Sequence, residues 1–121
     1  MSPKKKPNAK VTIYHNPRCT KSRQTLALLK EHDVEPTVIE YLQTPPDAAT
    51  LKQLLKKLGM KPQELIRRKE YRELGLEETD DPTELIARMV ANPQIIERPI
   101  VVRGSAARVG RPPEAVLEIL E

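Results

Sequence analysis

The order of strand and helix signals in the first forty residues constrains the fold more than any other feature. Residues 10–15 are rich in β-branched side chains and predict a strand. Residues 16–18 contain a turn signal, and residues 20–32 then carry apolar side chains at helical spacing. A second β-branched run at residues 37–41 predicts another strand. This order begins a βαβ unit and indicates an α/β fold.

The segment at about residues 45–92 is predicted to be a helical insertion, built from separate helices. Thr44 is expected to cap its first helix, and Asp47 to favour the positive end of the helix dipole. Leucines repeat there at helical spacing: Leu51, Leu54, Leu55 and Leu58. Further helices are predicted over residues 61–66 and from Asp81 onward. We assign these apolar stripes to core packing.

The end of the chain returns to strand character. Residues 100–102 and 107–109 flank a Gly-containing turn and predict a β-hairpin, and residues 112–120 predict a final helix. The complete order predicts a thioredoxin-like sandwich of the α/β class, with a helical insertion between a βαβ half and a ββα half. Residues 11–121 are expected to form this single domain.

The basic charge of the chain is concentrated at its start. Lys and Arg number 21 against 17 Asp and Glu, and the four lysines of residues 1–10 account for the whole excess. We expect residues 1–10 to be a disordered, solubilising tail, with contact to nucleic acid or an acidic surface as the alternative. A neutral body with three tyrosines, no Trp and no Phe disfavours nucleic-acid binding and requires an aliphatic core.

Cysteine and hydropathy patterns indicate the compartment. One cysteine excludes an intramolecular disulfide and a multi-cysteine zinc site. No apolar run is long enough to span a membrane, and residues 1–10 lack the apolar core of a signal peptide. We therefore expect a cytoplasmic protein, without a bound metal or cofactor, whose thiol stays reduced.

Cys19 is the candidate nucleophile. It lies between a strand end and a helix start, where free N–H groups and the helix dipole stabilise a thiolate. His15, Arg18, Lys21 and Arg23 add basic character within a few residues. The alternative, a small buried apolar side chain, fits a basic turn less well.

The surroundings of Cys19 exclude two related mechanisms. A dithiol oxidoreductase would have a second cysteine where Ser22 stands, so a sulfur species on Cys19 must be resolved by another molecule's thiol. The phosphatase loop is also absent, because Arg23 follows the cysteine by four positions instead of six. Ser22 and Thr20 are instead the candidate donors to the thiolate or to an incoming anion. His15 either tunes the thiolate or ends the first strand.

Several segments closely resemble the glutaredoxin-dependent arsenate reductase family. The first is Tyr14-His15-Asn16-Pro17-Arg18-Cys19-Thr20-Lys21-Ser22-Arg23. The others are Tyr41-Leu42-Gln43-Thr44-Pro45-Pro46, Glu73-Leu74-Gly75-Leu76, Glu97-Arg98-Pro99-Ile100-Val101-Val102 and Val109-Gly110-Arg111-Pro112-Pro113. The resemblance covers residues 11–120 and leaves out the basic tail.

The resemblance implies a set of site residues. Cys19 takes the place of the nucleophile, with His15 and Asn16 before it. The oxyanion-binding arginines correspond to Arg67, Arg98 and Arg111, and Pro99 is implied to follow a cis bond. Arg68 is the alternative to Arg67, because the stretch to Tyr71 is about two residues shorter than the family pattern.

The resemblance also implies the reaction: reduction of arsenate to arsenite through a thiol–arsenate adduct on Cys19. Glutathione is implied as co-substrate and glutaredoxin as protein partner. One alternative is a glutathione-linked thiol oxidoreductase with a different substrate. Another is a regulatory protein resembling the Spx-type transcription regulators, although their sensors commonly carry a second cysteine at the place of Ser22. We expect a monomer, because no apolar stripe is left after the core is assigned.

Overall fold

A four-stranded mixed sheet forms the centre of the molecule, in a computed structural model that describes residues 10–120. The strands are β1 (Val11–His15), β2 (Thr37–Glu40), β3 (Ile100–Arg103) and β4 (Ala106–Val109), in the order β2-β1-β3-β4. β1 pairs in parallel with β2 and antiparallel with β3, and β3 pairs antiparallel with β4. The predicted tail at residues 1–10 lies outside the described residues, except for Lys10.

Helices connect these strands in the predicted order. α1 (Thr20–Glu31) joins β1 to β2. Between β2 and β3 lie α2 (Ala48–Leu58), α3 (Pro62–Leu65), α4 (Arg68–Glu73), α5 (Pro82–Ala91) and a 3-10 helix (Pro93–Ile95). A final 3-10 helix (Pro113–Ile119) follows β4. The α/β class and the helical insertion between two halves are confirmed. None of the helices described is long and apolar enough to cross a membrane.

Three local details differ from the prediction. α2 is capped by Asp47, whose carboxylate accepts a hydrogen bond from the Thr50 N–H at 2.8 Å, so the expected cap at Thr44 is wrong. α4 was not predicted at all. The final helix is of the 3-10 type, with bonds such as that from the Ala115 N–H to the Pro112 carbonyl at 2.9 Å.

Apolar side chains pack on both faces of the sheet. The larger cluster unites the helical insertion with one face and includes Ile100, and the smaller cluster places α1 and the final 3-10 helix on the other face and includes Ile13 and Val101. Ile100 and Val101 are consecutive residues of β3. Because successive side chains of a strand point to opposite faces of the sheet, β3 contributes to both clusters. The core is aliphatic as expected, with Tyr41 and Tyr71 as its buried aromatic residues.

The directions of the strands bring three loops to the same end of the sheet. β1 ends at His15, and Tyr14 pairs with Ile100 at the start of β3. Ile100 also pairs with Val109 at the end of β4. The loop after β1, the loop before β3 and the loop after β4 therefore meet at the same end, and these loops carry the predicted site residues.

Candidate active site

Cys19 is the N-cap residue of α1, in extended conformation with φ −95° and ψ 124°. The backbone N–H groups of Lys21 and Ser22, in the first turn of the helix, donate to its sulfur. The Arg111 Nη2 lies 3.5 Å from the Cys19 Sγ. The sulfur is thus surrounded by donors from its own helix and from the loop after β4, and the residue is only partly buried.

The ionisation of Cys19 reflects opposing influences. Partial burial raises the pKa of the thiol, while the Ser22 N–H, the Arg98 guanidinium and the Lys21 N–H lower it. The donors prevail, so the pKa of the Cys19 thiol lies below its ordinary value. A larger share of the thiol is therefore thiolate near neutral pH than in a free cysteine, which is the form that attacks electrophiles.

The Ser22 hydroxyl has a different place from the one expected. The side chain is fully buried, and its Oγ accepts from the Asn16 N–H at 3.0 Å. The same Oγ lies 2.7 Å from the His15 Nδ1. Burial lowers the pKa of His15, Glu40 raises it and Arg23 lowers it, with a net decrease. The hydrogen bonds of the Ser22 hydroxyl therefore lie within the turn, with the Asn16 N–H and the His15 ring, so this hydroxyl fixes the turn.

Asn16 and Arg23 hold the remainder of the turn. The Asn16 Oδ1 accepts from the Arg18 N–H at 3.0 Å, and the Asn16 carbonyl accepts from the Cys19 N–H at 3.0 Å. The exposed Arg23 donates to the Pro17 carbonyl at 3.0 Å. Both predicted supporting residues thus act on the conformation of the loop around Cys19.

Arg67 reaches the site through a backbone contact between the insertion and the loop before β3. Ile66 and Ile96 form an isolated antiparallel bridge, in which the Arg67 N–H donates to the Ile95 carbonyl at 2.7 Å. The Arg67 Nη1 then contacts the Glu97 Oε1 at 2.8 Å. Arg68 instead pairs with the exposed Glu78 at 2.7 Å. Of the two neighbouring arginines, Arg67 is therefore the one whose side chain contacts the loop before β3.

Arg98 and Arg111 come from the two loops around the hairpin. The Arg98–Pro99 bond is cis, as the resemblance implies, and the Arg111–Pro112 bond is also cis. The Arg111 Nε donates to the Arg98 carbonyl at 2.9 Å. The Pro99 carbonyl accepts from the Gly110 N–H at 2.9 Å, which ties the loops together.

Two carboxylates, Glu70 and Glu97, cross-link the three arginines, and no local sequence pattern predicts this role for them. The Glu97 Oε1 contacts Arg67 at 2.8 Å and the Arg111 Nε at 3.1 Å, and accepts from the Arg98 N–H at 3.2 Å. Glu70 lies 3.1 Å from the Arg67 Nε and 3.9 Å from the Arg98 Nη2. Burial raises the pKa of Glu70 and Arg67 lowers it, with a net decrease that keeps it ionised.

The arrangement combines a nucleophile with an anion-binding surface. Three guanidiniums and two carboxylates leave one formal positive charge beside the Cys19 thiolate. Guanidiniums bind tetrahedral oxyanions through paired, charge-assisted hydrogen bonds. Among residues 10–120, no group of three His, Cys, Asp or Glu side chains is placed to hold a metal ion.

Fold and site together define a class: thioredoxin-like proteins with one cysteine at the start of the first helix, facing arginines from the surrounding loops. The chain matches the ArsC family over residues 14–119. It is 46% identical over 115 residues to an arsenate reductase of Escherichia coli strain K12, covering 91% of this chain and 80% of that protein. The chain belongs to the ArsC family.

Two further comparisons refine this assignment. The chain is 60% identical over 114 residues to the uncharacterized protein YfgD of Escherichia coli strain K12, covering 91% of this chain and 96% of that protein. The structure of the arsenate reductase from Vibrio cholerae matches with a TM-score of 0.83 and 45% identity, covering 93% of this chain and 98% of that one. These matches confirm the thioredoxin-like fold and the resemblance to arsenate reductases.

Proposed function

We propose that this protein reduces arsenate to arsenite, with Cys19 as the nucleophile. The observation that carries the proposal is the contact of the Arg111 Nη2 with the Cys19 Sγ at 3.5 Å, within a cluster that also holds Arg67 and Arg98. An oxyanion held by these guanidiniums lies against the thiolate. Relatives named arsenate reductase support the choice of arsenate among tetrahedral oxyanions.

The first chemical step joins the thiolate to the substrate. The Cys19 sulfur attacks arsenic, a sulfur–arsenic bond forms, and one arsenic–oxygen bond breaks, with the oxygen leaving as water after protonation. Arg67, Arg98 and Arg111 offset the negative charge of the oxyanion and orient it for this attack. No redox change has yet occurred at this stage.

Reduction then needs two thiols from outside the chain, because Cys19 is its only cysteine. The glutathione thiolate attacks the arsenic, so that a second sulfur–arsenic bond forms and a second oxygen leaves as water. A glutaredoxin thiolate then attacks the glutathione sulfur; the glutathione–arsenic bond breaks, and its electron pair reduces arsenic(V) to arsenic(III) while a mixed disulfide of glutathione and glutaredoxin forms. Water finally displaces the Cys19 sulfur from arsenic, which releases arsenite and restores the thiol. The absence of a second thiol at Ser22 supports this external route.

The decisive measurement is arsenate-dependent NADPH consumption, coupled through glutathione, glutaredoxin and glutathione reductase. We expect Cys19→Ser to reduce the rate to background, because the hydroxyl is a far weaker nucleophile than the thiolate. Its thermal unfolding should match the wild-type protein, since only one atom changes. Full activity of folded Cys19→Ser protein would refute the proposal, and replacing glutaredoxin with thioredoxin and its reductase tests the identity of the reductant.

A second candidate is a glutathione-linked thiol oxidoreductase with another substrate. Glu70 and Glu97 favour it, because they neutralise two of the three guanidiniums that a dianionic substrate would use. The coupled assay with a glutathione mixed disulfide in place of arsenate separates the candidates. A Spx-type regulatory role is less favoured, since it leaves the arginines beside Cys19 without a purpose.

A further inference from the structure

Glu97 is the residue that all three arginines of the site share. Its Oε1 lies 2.8 Å from the Arg67 Nη1 and 3.1 Å from the Arg111 Nε, and it accepts from the Arg98 N–H at 3.2 Å. Its Oε2 makes no hydrogen bond or ion pair with the described residues and is not sealed from solvent. The side chain is 26% exposed, so one carboxylate oxygen holds the arginines while the other is available to a ligand.

The Glu97 carboxylate is a neighbour of the nucleophile through a single guanidinium. The Arg111 Nε lies 3.1 Å from the Glu97 Oε1, and the Arg111 Nη2 lies 3.5 Å from the Cys19 Sγ. Because Nε and Nη2 belong to the same rigid, planar group, the carboxylate and the sulfur both lie beside it. An anion that Arg111 holds against Cys19 is therefore close to the Glu97 carboxylate as well.

A carboxylate in an oxyanion site distinguishes anions that carry a proton from anions that do not. Arsenate and phosphate keep at least one O–H group near neutral pH, and such a group donates a short, strong hydrogen bond to a carboxylate. Sulfate has no proton at this pH, so each of its oxygens is an acceptor that a carboxylate repels. Guanidiniums alone would bind both kinds of anion, whereas guanidiniums combined with a carboxylate should prefer the protonated kind.

We propose that Glu97 is a specificity-determining residue, whose Oε2 accepts a hydrogen bond from the O–H group of a protonated tetrahedral oxyanion at Cys19. The site thereby selects arsenate and phosphate and discriminates against sulfate. The inference rests on the proposed function and deepens it, because it names the oxyanions that the same site accepts. Binding alone produces this selection, so it can be measured without any reduction.

Protection of the Cys19 thiol measures the selection. Phosphate or sulfate held at the arginines should slow the alkylation of Cys19 by iodoacetamide, and the anion concentration that halves the rate is determined at constant ionic strength. In the wild-type protein, phosphate should protect at a concentration about tenfold to a hundredfold lower than sulfate, the range for one hydrogen bond to a charged group. Equal protection by the two anions would overturn the proposal, as would a protein that neither anion protects.

Glu97→Gln removes the negative charge and offers an N–H donor in place of one acceptor. Sulfate should then protect at a concentration about tenfold lower than in the wild-type protein, and the advantage of phosphate should disappear. Glu70→Gln is the matched control, because it removes the same charge from a carboxylate that contacts Arg67 and Arg98. Both anions should bind this control more tightly, with the advantage of phosphate unchanged.

The outcomes separate the proposal from a structural role and from the proposed function. A Glu97→Gln protein that both anions protect less well, and that still prefers phosphate, would make Glu97 only a residue that positions the arginines. Selective protection without arsenate reduction would refute the proposed function and support the role of Glu97. Arsenate reduction without selective protection would refute the role of Glu97 alone. If Glu97→Gln does not fold, the comparison of phosphate with sulfate in the wild-type protein still decides.

Discussion

The Cys19 thiolate is stabilised by donors of two kinds. The N–H groups of Lys21 and Ser22 belong to the turn itself, whereas Arg98 is supplied by the loop before β3. Partial burial opposes all of them by disfavouring the charged sulfur. Of these three groups, only the Arg98 guanidinium is a side chain that a substitution removes. Its removal should therefore change the pKa of the Cys19 thiol.

We expect Arg98→Gln to raise the pKa of the Cys19 thiol, because the thiolate loses a hydrogen bond and a neighbouring positive charge. Iodoacetamide reacts with the thiolate, so the alkylation rate rises with pH and reaches half of its maximum at the thiol pKa. The wild-type midpoint should lie below the ordinary value for cysteine, and the variant midpoint above that of the wild type. Between the two midpoints the variant should react more slowly. Mass spectrometry of alkylated protein over a pH series measures both curves.

Arg108→Gln is the matched control for this titration. Arg108 lies on β4 and pairs with the exposed Glu118 at 2.8 Å, and it is not among the groups that shift Cys19. The substitution removes the same charge from the protein and should leave the midpoint in place. Equal midpoints for Arg98→Gln and the wild-type protein would show that Arg98 does not stabilise the thiolate.

Among the structural elements, the turn between β1 and α1 depends on the buried Ser22 hydroxyl. This group joins the last residue of β1 to the turn, through the His15 Nδ1 at 2.7 Å and the Asn16 N–H at 3.0 Å. Ser22 also contributes the backbone N–H that faces the Cys19 sulfur. One side chain therefore fixes the conformation in which the helix start is directed at the nucleophile.

Ser22→Ala should lower the free energy of unfolding by about 1–3 kcal/mol, because it leaves two buried polar groups without partners. Without these hydrogen bonds, the N–H groups of Lys21 and Ser22 should point less precisely at the Cys19 sulfur. The pKa of the Cys19 thiol should therefore rise. Urea unfolding measures the first effect and the alkylation titration the second. Ser105→Ala, in the exposed hairpin turn, is the control and should change neither. A Ser22→Ala protein as stable as the wild type would show that these hydrogen bonds do not stabilise the turn.

Elements with strong local signals were predicted accurately. The bounds predicted for β1, α1 and β2 and for the two hairpin strands agree with the structure to within one residue. α4 was missed because Tyr71 is its only buried residue, so the six residues show no apolar period. Thr44 and the following Pro45 are both typical of a helix start and therefore predict a cap at Thr44, but the side chain of Asp47 makes the capping hydrogen bond of α2.

The structure places the predicted site residues in loops at one end of the sheet, but the two carboxylates between the arginines, Glu70 and Glu97, are not among the predicted residues. Glu70 and Glu97 gain their place only when the Ile66–Ile96 bridge brings the insertion against the loop before β3. No local pattern encodes such a contact, because its partners are far apart in sequence. The same bridge distinguishes Arg67 from Arg68, which the sequence left open.

For the molecule as a whole, Gly110 lies where the two halves of the sandwich meet beside the site. A Cβ at this position would lie 2.5 Å from the Thr25 Oγ1 of α1 and 2.9 Å from the Pro99 Cγ. Gly110 also precedes Arg111, whose guanidinium contacts Cys19. The close approach of α1 to this loop is therefore possible only because Gly110 has no side chain.

We expect Gly110→Ala to lower the free energy of unfolding by about 1–3 kcal/mol, since the added methyl must displace α1 or the Pro99 loop. Arg111 should move away from Cys19, so oxyanion protection of the thiol should weaken as well. Urea unfolding and the alkylation assay measure the two effects in one protein. Gly104→Ala is an informative control: the position has φ +61° and no atom within 4 Å of the added Cβ, so it should lose stability without losing oxyanion protection.

A double-mutant cycle with Thr25→Ala shows whether contact with α1 is the cause. Thr25→Ala alone loses the hydrogen bond from its Oγ1 to the Lys21 carbonyl at 2.8 Å, and it should be destabilised for that reason. In the double variant the space left by Thr25 receives the Gly110→Ala methyl, so the combined loss should be smaller than the sum of the single losses. The contact with the Pro99 Cγ remains, so recovery should be partial. Strictly additive losses would mean that the halves are not in contact through Thr25 and Gly110.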